Sequence, residues 1–203
     1  MNYLFSQKGC IFIVILTGLF SSCNTVVYSP IDRTADMIEG TYDLAGIMWE
    51  GDALDVNGDG ITSNDLYSEL MSLPINAENT HRAYVRCFSY DRTDGFVKMQ
   101  LPMQNVNVTD DGRYPAVWMI GSRMTVNLLY QIDSQGHLTV DHFESLMVND
   151  DDARVEMVRM NNGTVWFDEE ENLCFKVTYT LFDYCKEQLV EGIIHYTFEK
   201  TVS

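Results

Sequence analysis

Apolar and polar residues alternate along most of this chain. In the stretch 173–183, Leu173, Phe175, Val177, Tyr179 and Leu181 fall on one side, with Lys176, Thr178 and Thr180 on the other. In 190–201, Ile194, Tyr196 and Phe198 oppose His195, Thr197 and Glu199. A period of two places one face of a strand in a core and the other in water. Further segments rich in Val, Thr, Tyr, Phe and Met occupy 83–90, 96–106, 114–121, 123–133, 137–147, 154–160 and 164–167, and a first strand runs from Gly40 to Trp49. Between them lie turn signals: Asp94-Gly95, Asp110-Asp111-Gly112, Ser134-Gln135-Gly136, Asn161-Asn162-Gly163 and an acidic tip at Asp168–Glu171. Turns this closely spaced predict antiparallel neighbours rather than βαβ units. One short helix is expected over 65–73, with Leu66, Leu70 and Leu73 on one face. Strands with so little helix to cover them must close on themselves or stack as two sheets. The expected fold is all-β, an antiparallel up-and-down β-barrel with one short helix after the first strand. Closure removes exposed edges, which favours the barrel over the alternative, a β-sandwich.

The first 22 residues break this pattern. A polar start carrying Lys8 leads into the apolar run Cys10–Phe20, and the small pair Ser21-Ser22 precedes Cys23. That order marks a secretory signal, and the run is too short to span a bilayer. Leu19-Phe20-Ser21-Ser22-Cys23 resembles a lipobox. By that resemblance, residues 1–22 are removed and Cys23 becomes an acylated N-terminus that holds the protein on the lipid bilayer. Residues 23–36 then form a tether and 37–203 a single domain. The residues after Cys23, Asn24-Thr25-Val26-Val27, are uncharged. Surface-exported lipoproteins of the Bacteroidales type often carry an acidic run there. Its absence points to the outer membrane, facing the periplasm.

Composition narrows the partners. The full chain carries a net charge of −17, and loss of Lys8 with the signal makes it −18. Such a surface repels nucleic-acid phosphates and anionic lipid headgroups, so nucleic acid is excluded as a partner. Cys87, Cys174 and Cys185 allow at most one internal disulfide and have no metal-site spacing. His81, His137, His142 and His195 are expected to be solvent-facing strand or turn residues. No nucleophile elbow, phosphate loop or dinucleotide fingerprint occurs, so the protein is not read as an enzyme. Met99, Met103, Met119, Met124, Met147, Met157 and Met160 suit an adaptable apolar pocket, though such side chains fill ordinary cores as well.

One motif carries chemistry. Asp55-Val56-Asn57-Gly58-Asp59-Gly60 sets oxygens at alternate positions and a glycine at the sharp turn, the pattern of a Ca²⁺ loop. The expected ligands are Asp55, Asn57, Asp59, the carbonyl of Ile61, Ser63 and Asp65. The acid, Asp65, falls one position before that of an EF-hand. It serves either as a ligand or as the partner of Thr62 in a capping box. The alternative for the whole motif is a plain Asn/Asp/Gly turn.

Gly40-Thr41-Tyr42 followed by 52–70 (DALDVNGDGITSNDLYSEL) resembles the opening of the lipocalin-like lipoproteins common in Bacteroidales. Tyr42 stands where that family usually has the tryptophan that plugs the closed barrel end. The resemblance covers 38–70 closely, and beyond it only the strand count and the ending Tyr196–Lys200. It implies a calycin-type barrel with one of two roles. The barrel holds a small apolar or amphipathic ligand, or it is filled by its own side chains and belongs to an accessory or structural interaction lipoprotein.

Acylation is testable directly. A tagged fatty acid should label the wild-type protein and leave Cys23→Ala unlabelled, and equal labelling of both would refute acylation at this residue.

Overall fold

The computed structural model describes residues 34–88, 90–105, 120–141, 143–147 and 159–201, with the backbone alone described at 75, 105, 120–123, 143–147 and 159. A short helix α1 (Ala35–Ile38) leads into β1 (Gly40–Glu50). A loop and two short helices follow, α2 (Leu66–Met71) and α3 (Pro74–Ala77). Then come β2 (Arg82–Cys87), β3 (Asp94–Asn105), β4 (Ile120–Ile132), β5 (Leu138–Val140), β6 (Phe143–Met147), β7 (Arg159–Phe167), β8 (Leu173–Asp183) and β9 (Gln188–Lys200). Every pairing is antiparallel, in the order β5-β4-β3-β2-β1-β9-β8-β7-β6. The two ends of that order, β5 and β6, are separated by only two residues of sequence, so together they act as one staircase strand. The result is a nearly closed, eight-strand up-and-down barrel.

Alternation builds the interior as expected. Leu173, Phe175, Val177, Tyr179 and Leu181 of β8 and Ile194, Tyr196 and Phe198 of β9 are buried, as are Tyr42 and Ile47 of β1. Each such side chain contributes on the order of 1.5–3 kcal/mol. Phe175 and Tyr196, directly opposite in the ladder, stack with ring centroids 6.0 Å apart. Met99, Met103 and Met160 also lie in this core.

Two buried hydroxyls tie opposite walls together. Tyr179 of β8 donates to the carbonyl of Gln104 at 3.1 Å, and Tyr196 of β9 donates to that of Pro102 at 3.3 Å. Both acceptors sit on β3, beyond the last residue that β2 pairs, Met99. A proline is tolerated there because no β2 partner asks for its N–H. Asn76 of α3 supplies a donor to the next carbonyl, Met103, at 3.0 Å.

At the rim where the chain enters, α1 packs Ala35 and Ile38 into the core. The Tyr42 hydroxyl donates to the Ile38 carbonyl at 2.5 Å, and Lys200 donates to Met37 O at 2.5 Å. Tyr42, where the family resemblance implies tryptophan, is thus fully buried beneath the entering helix.

Several boundaries differ from expectation. The Asn161-Asn162-Gly163 turn signal lies inside β7: the register slips between Asn161 and Thr164, and Asn162 takes a left-handed φ of 55°. A bulge absorbs these residues where a hairpin was expected, because both flanks keep pairing with β8. The stretch 137–147 divides into β5 and β6, each pairing a different neighbour. Two four-residue helices, α1 and α3, join the one expected. The expected strand over 114–121 lies outside the described residues except for its last two, which open β4. Cys87, Cys174 and Cys185 form no disulfide with one another. His81 is buried rather than solvent-facing, its Nε2 lying 3.1 Å from the Asn76 carbonyl. His142 and the acidic run 149–152 lie outside the described residues. Among the described residues no helix is long and apolar enough to cross a membrane.

Space is tightest at Gly95, opposite Tyr130 on β4. A Cβ there would meet the Arg86 carbonyl at 2.2 Å and the Tyr130 ring at 2.6 Å. Gly95→Ala should lower stability by about 1–3 kcal/mol through overpacking. At Gly46 the nearest atom to an added Cβ is 4.0 Å away, so Gly46→Ala should be close to neutral. Thermal melts of the two variants compare them, and equal stabilities would refute the packing argument.

Candidate metal loop

The chain leaves β1 and turns through 51–65 before entering α2. Leu54 and Val56 are buried and hold the start of this loop against the barrel. Asp55, between them, is only 2% exposed. Its carboxylate folds the loop around itself, with Oδ1 accepting from Gly58 N at 2.7 Å and Oδ2 from Gly60 N at 3.0 Å. Gly58 and Gly60 supply the positive φ angles, 78° and 85°, that bring those N–H groups inward. Asn57 Oδ1 accepts from Asp59 N, and Asp59 Oδ1 accepts from Ile61 N at 2.8 Å. Asn57 Nδ2 donates to Asp59 Oδ2 at 3.2 Å.

The third acidic participant was not among the expected ligands. Glu69 on α2 is 5% exposed, and its Oε2 accepts from Val56 N at 3.1 Å and Asn57 N at 3.2 Å. Asp55, Asp59 and Glu69 thereby bring carboxylate oxygens within 4.8 Å of one another. Calcium holds oxygens at about 2.3–2.6 Å, so two ligands of one ion stand at most about 5 Å apart. The spacing therefore suits a single divalent cation. Among the described residues no Lys or Arg pairs with any of the three; the nearby Lys186 pairs instead with Asp183, at 3.2 Å.

Of the expected ligands, Asp55 and Asp59 come together and Asp65 does not join them. Its carboxylate caps α2, accepting from Tyr67 N at 3.1 Å. Asp65 is itself the N-cap, so it is not the third-position member of a capping box opened by Thr62. Ser63 pairs through its backbone with Leu54, at 2.8 and 3.0 Å. The Ile61 side chain is exposed, and Asn57 is half-buried, its Nδ2 donating to Asp59 and Ser72. A signal for Glu69 was present in the sequence: it stands on the stripe of Leu66, Leu70 and Leu73, where an acid is buried only for a reason.

The loop is stitched to the barrel from two sides. Gln104 of β3 donates through Nε2 to Val56 O at 2.8 Å and Phe182 O at 3.0 Å, and its Oε1 accepts from Phe182 N at 2.7 Å. Asp183, fully buried at the end of β8, accepts from Asp55 N at 3.3 Å, and Tyr184 N donates to Asp55 O at 2.8 Å. Cys185 Sγ lies 3.5 Å from Asp55 Oδ2. Burial, then the charges of Asp55, Asp183 and Asp59, push its thiol above the usual range.

Burial also raises Glu69 above its usual value of 4.5; the backbone donors of Val56 and Asn57 oppose this, and the charges of Asp59 and Asp55 add to it. Below 4.5 the group is protonated in both folded and unfolded chains and contributes nothing. As pH climbs through the raised folded value the unfolded chain has already released its proton, so folding loses stability. Glu69→Gln keeps an acceptor and removes the charge. In chelator it should match wild type near pH 4 and melt higher at pH 7. A variant less stable at both pH values would show that the carboxylate's hydrogen bonds outweigh its desolvation. Comparison of the chain with protein-family models, curated proteins and solved structures gives no match, so what this loop can do is argued from its own atoms.

Proposed function

We propose that this chain is an exported lipoprotein, acylated at Cys23, whose barrel is filled by its own side chains. It serves the envelope as a non-enzymatic structural or interaction module, on the outer membrane and facing the periplasm. What favours this over a carrier of apolar ligands is the pair of hydroxyl bonds across the interior, Tyr179 to Gln104 O and Tyr196 to Pro102 O. Side chains that reach the far wall occupy the space a ligand needs. Their neighbours Val97, Met99, Leu101, Phe175 and Phe198 are fully buried, as in an interior packed to native density. Native mass spectrometry of the protein from its own host tests this. A retained apolar molecule in stoichiometric amount would return the carrier reading to first place.

The loop of Asp55, Asp59 and Glu69 is proposed to hold a structural calcium ion, with Asn57 and the Ile61 carbonyl as further oxygen donors. Three acids without a basic partner gain most from a cation, and the loop joins β1, α2 and the end of β8. An ion bound only by the folded chain adds about 1.4 kcal/mol when calcium is tenfold above Kd. Calcium at millimolar concentration should therefore raise the melting temperature by a few degrees, and magnesium by much less. Asp55→Ala with Asp59→Ala should abolish the response, and Glu69→Gln should weaken it. Asp65→Asn should retain it, since Asp65 serves the helix. Identical melting of the wild type in calcium and in chelator would leave the loop a turn.

A further inference from the structure

The rim at which the chain enters the barrel has two unlike sides. On one side lies the connection from β2 to β3. Phe88 and Tyr90 there are 61% and 105% exposed. Arg92 adopts a left-handed φ of 61° and reaches back to α1, pairing with Asp36 at 2.7 Å and Glu39 at 2.6 Å. Next to it is a cleft of about 460 Å³ lined by Thr41, Arg82, Arg86 and Lys200 among others. Arg82 pairs with Asp43 at 2.6 Å. Arg86 and Lys200 meet no carboxylate among the described residues: Arg86 donates to the carbonyls of Gly40 and Val85, and Lys200 to that of Met37. On the same rim, four strands from the β2–β3 connection, the β7–β8 connection carries Asp168, Glu169, Glu170 and Glu171, next to the end of β9 that bears Lys200.

We propose that the side bearing Phe88, Tyr90 and Arg86 rests against the bilayer in which Cys23 is anchored. This rests on the reading of Cys23 as acylated. Thr34, where the described chain begins, lies eleven links from Cys23. At about 3.3–3.6 Å per residue the tether spans at most about 40 Å. Arg92 fixes the end of that tether beside the β2–β3 connection, so the anchor joins the barrel on this side of the rim. Exposed Tyr and Phe favour the headgroup layer, where an aromatic body is desolvated and a hydroxyl stays wet. Arg86, which meets no carboxylate among the described residues, suits a phospholipid phosphate, which guanidinium binds through paired donors. The chain as a whole is acidic, but its four-acid tip lies four strands away along the rim. Repulsion of that tip from phosphates tilts the barrel the same way. The metal loop, at the other end of the barrel, faces away from the membrane.

The test uses the full chain in its own membranes, with the photoreactive amino acid p-benzoylphenylalanine at position 90 or at position 170. Tyr90 and Glu170 are both exposed, so neither replacement burdens the fold. After irradiation, mass spectrometry reads phospholipid adducts, and fatty acid on Cys23 in the same sample. Adducts several-fold more abundant from position 90 than from 170, on acylated protein, support the proposal. Equal yields from both positions, or none from 90 on acylated protein, overturn it. Adducts from 90 without fatty acid on Cys23 overturn the anchor and keep the face. Absence of both overturns both.

Discussion

Two tyrosine hydroxyls and one glutamine amide, buried in a low-dielectric interior, hold the far walls of this barrel together. β3 outruns its partner β2, and its last carbonyls must find donors or bear the cost of burial without them. Tyr196, Asn76 and Tyr179 satisfy Pro102, Met103 and Gln104 in turn. The Gln104 side chain then repeats the bargain outward, binding Phe182 on both its backbone groups and Val56 at the start of the loop. The barrel wall, the two interior tyrosines and the loop are therefore one polar network, and none of its three parts can shift without orphaning a buried group in another.

Period-two patterning made most strands legible before any coordinates. β8 runs over the residues expected of it, and the inward set of β9 is the expected one. Alternation failed where two local signals competed. Asn161-Asn162-Gly163 carries every mark of a turn, yet the flanking residues pair with one continuous strand, and a bulge costs less than a broken ladder. The His137–Met147 region read as one strand because alternation cannot show a change of partner. Such a change is what brings an up-and-down sheet round to closure.

The loop was legible in its first half and not in its second. Asp55 and Asp59 announce themselves through spacing and the glycines between them. Glu69 shows only as an acid on the apolar stripe of α2, because it sits fourteen residues beyond Asp55 and its role depends on how α2 docks. Asp65 drew the eye as the nearest acid in sequence. A helix that begins at Leu66 needs its cap more than the loop needs a distant oxygen. His81 misled for a related reason: nothing in its immediate neighbours shows that α3 will lie over it.

The pairing of β1 with β9 has a kinetic side. The first strand of the domain has β2 on one flank and the last strand of the chain on the other. Its second edge therefore stays open until nearly the whole polypeptide is available, and closure joins residues more than a hundred and fifty positions apart, such as Tyr42 and Lys200. Contacts of such range make for slow folding, since the entropy of a long loop must be lost before any stabilisation returns. A chain delivered from its N-terminus onward meets this requirement late. Its barrel becomes a closed object only once the final strand has been delivered, and until then the rim of β1 is a sticky edge in need of a guardian.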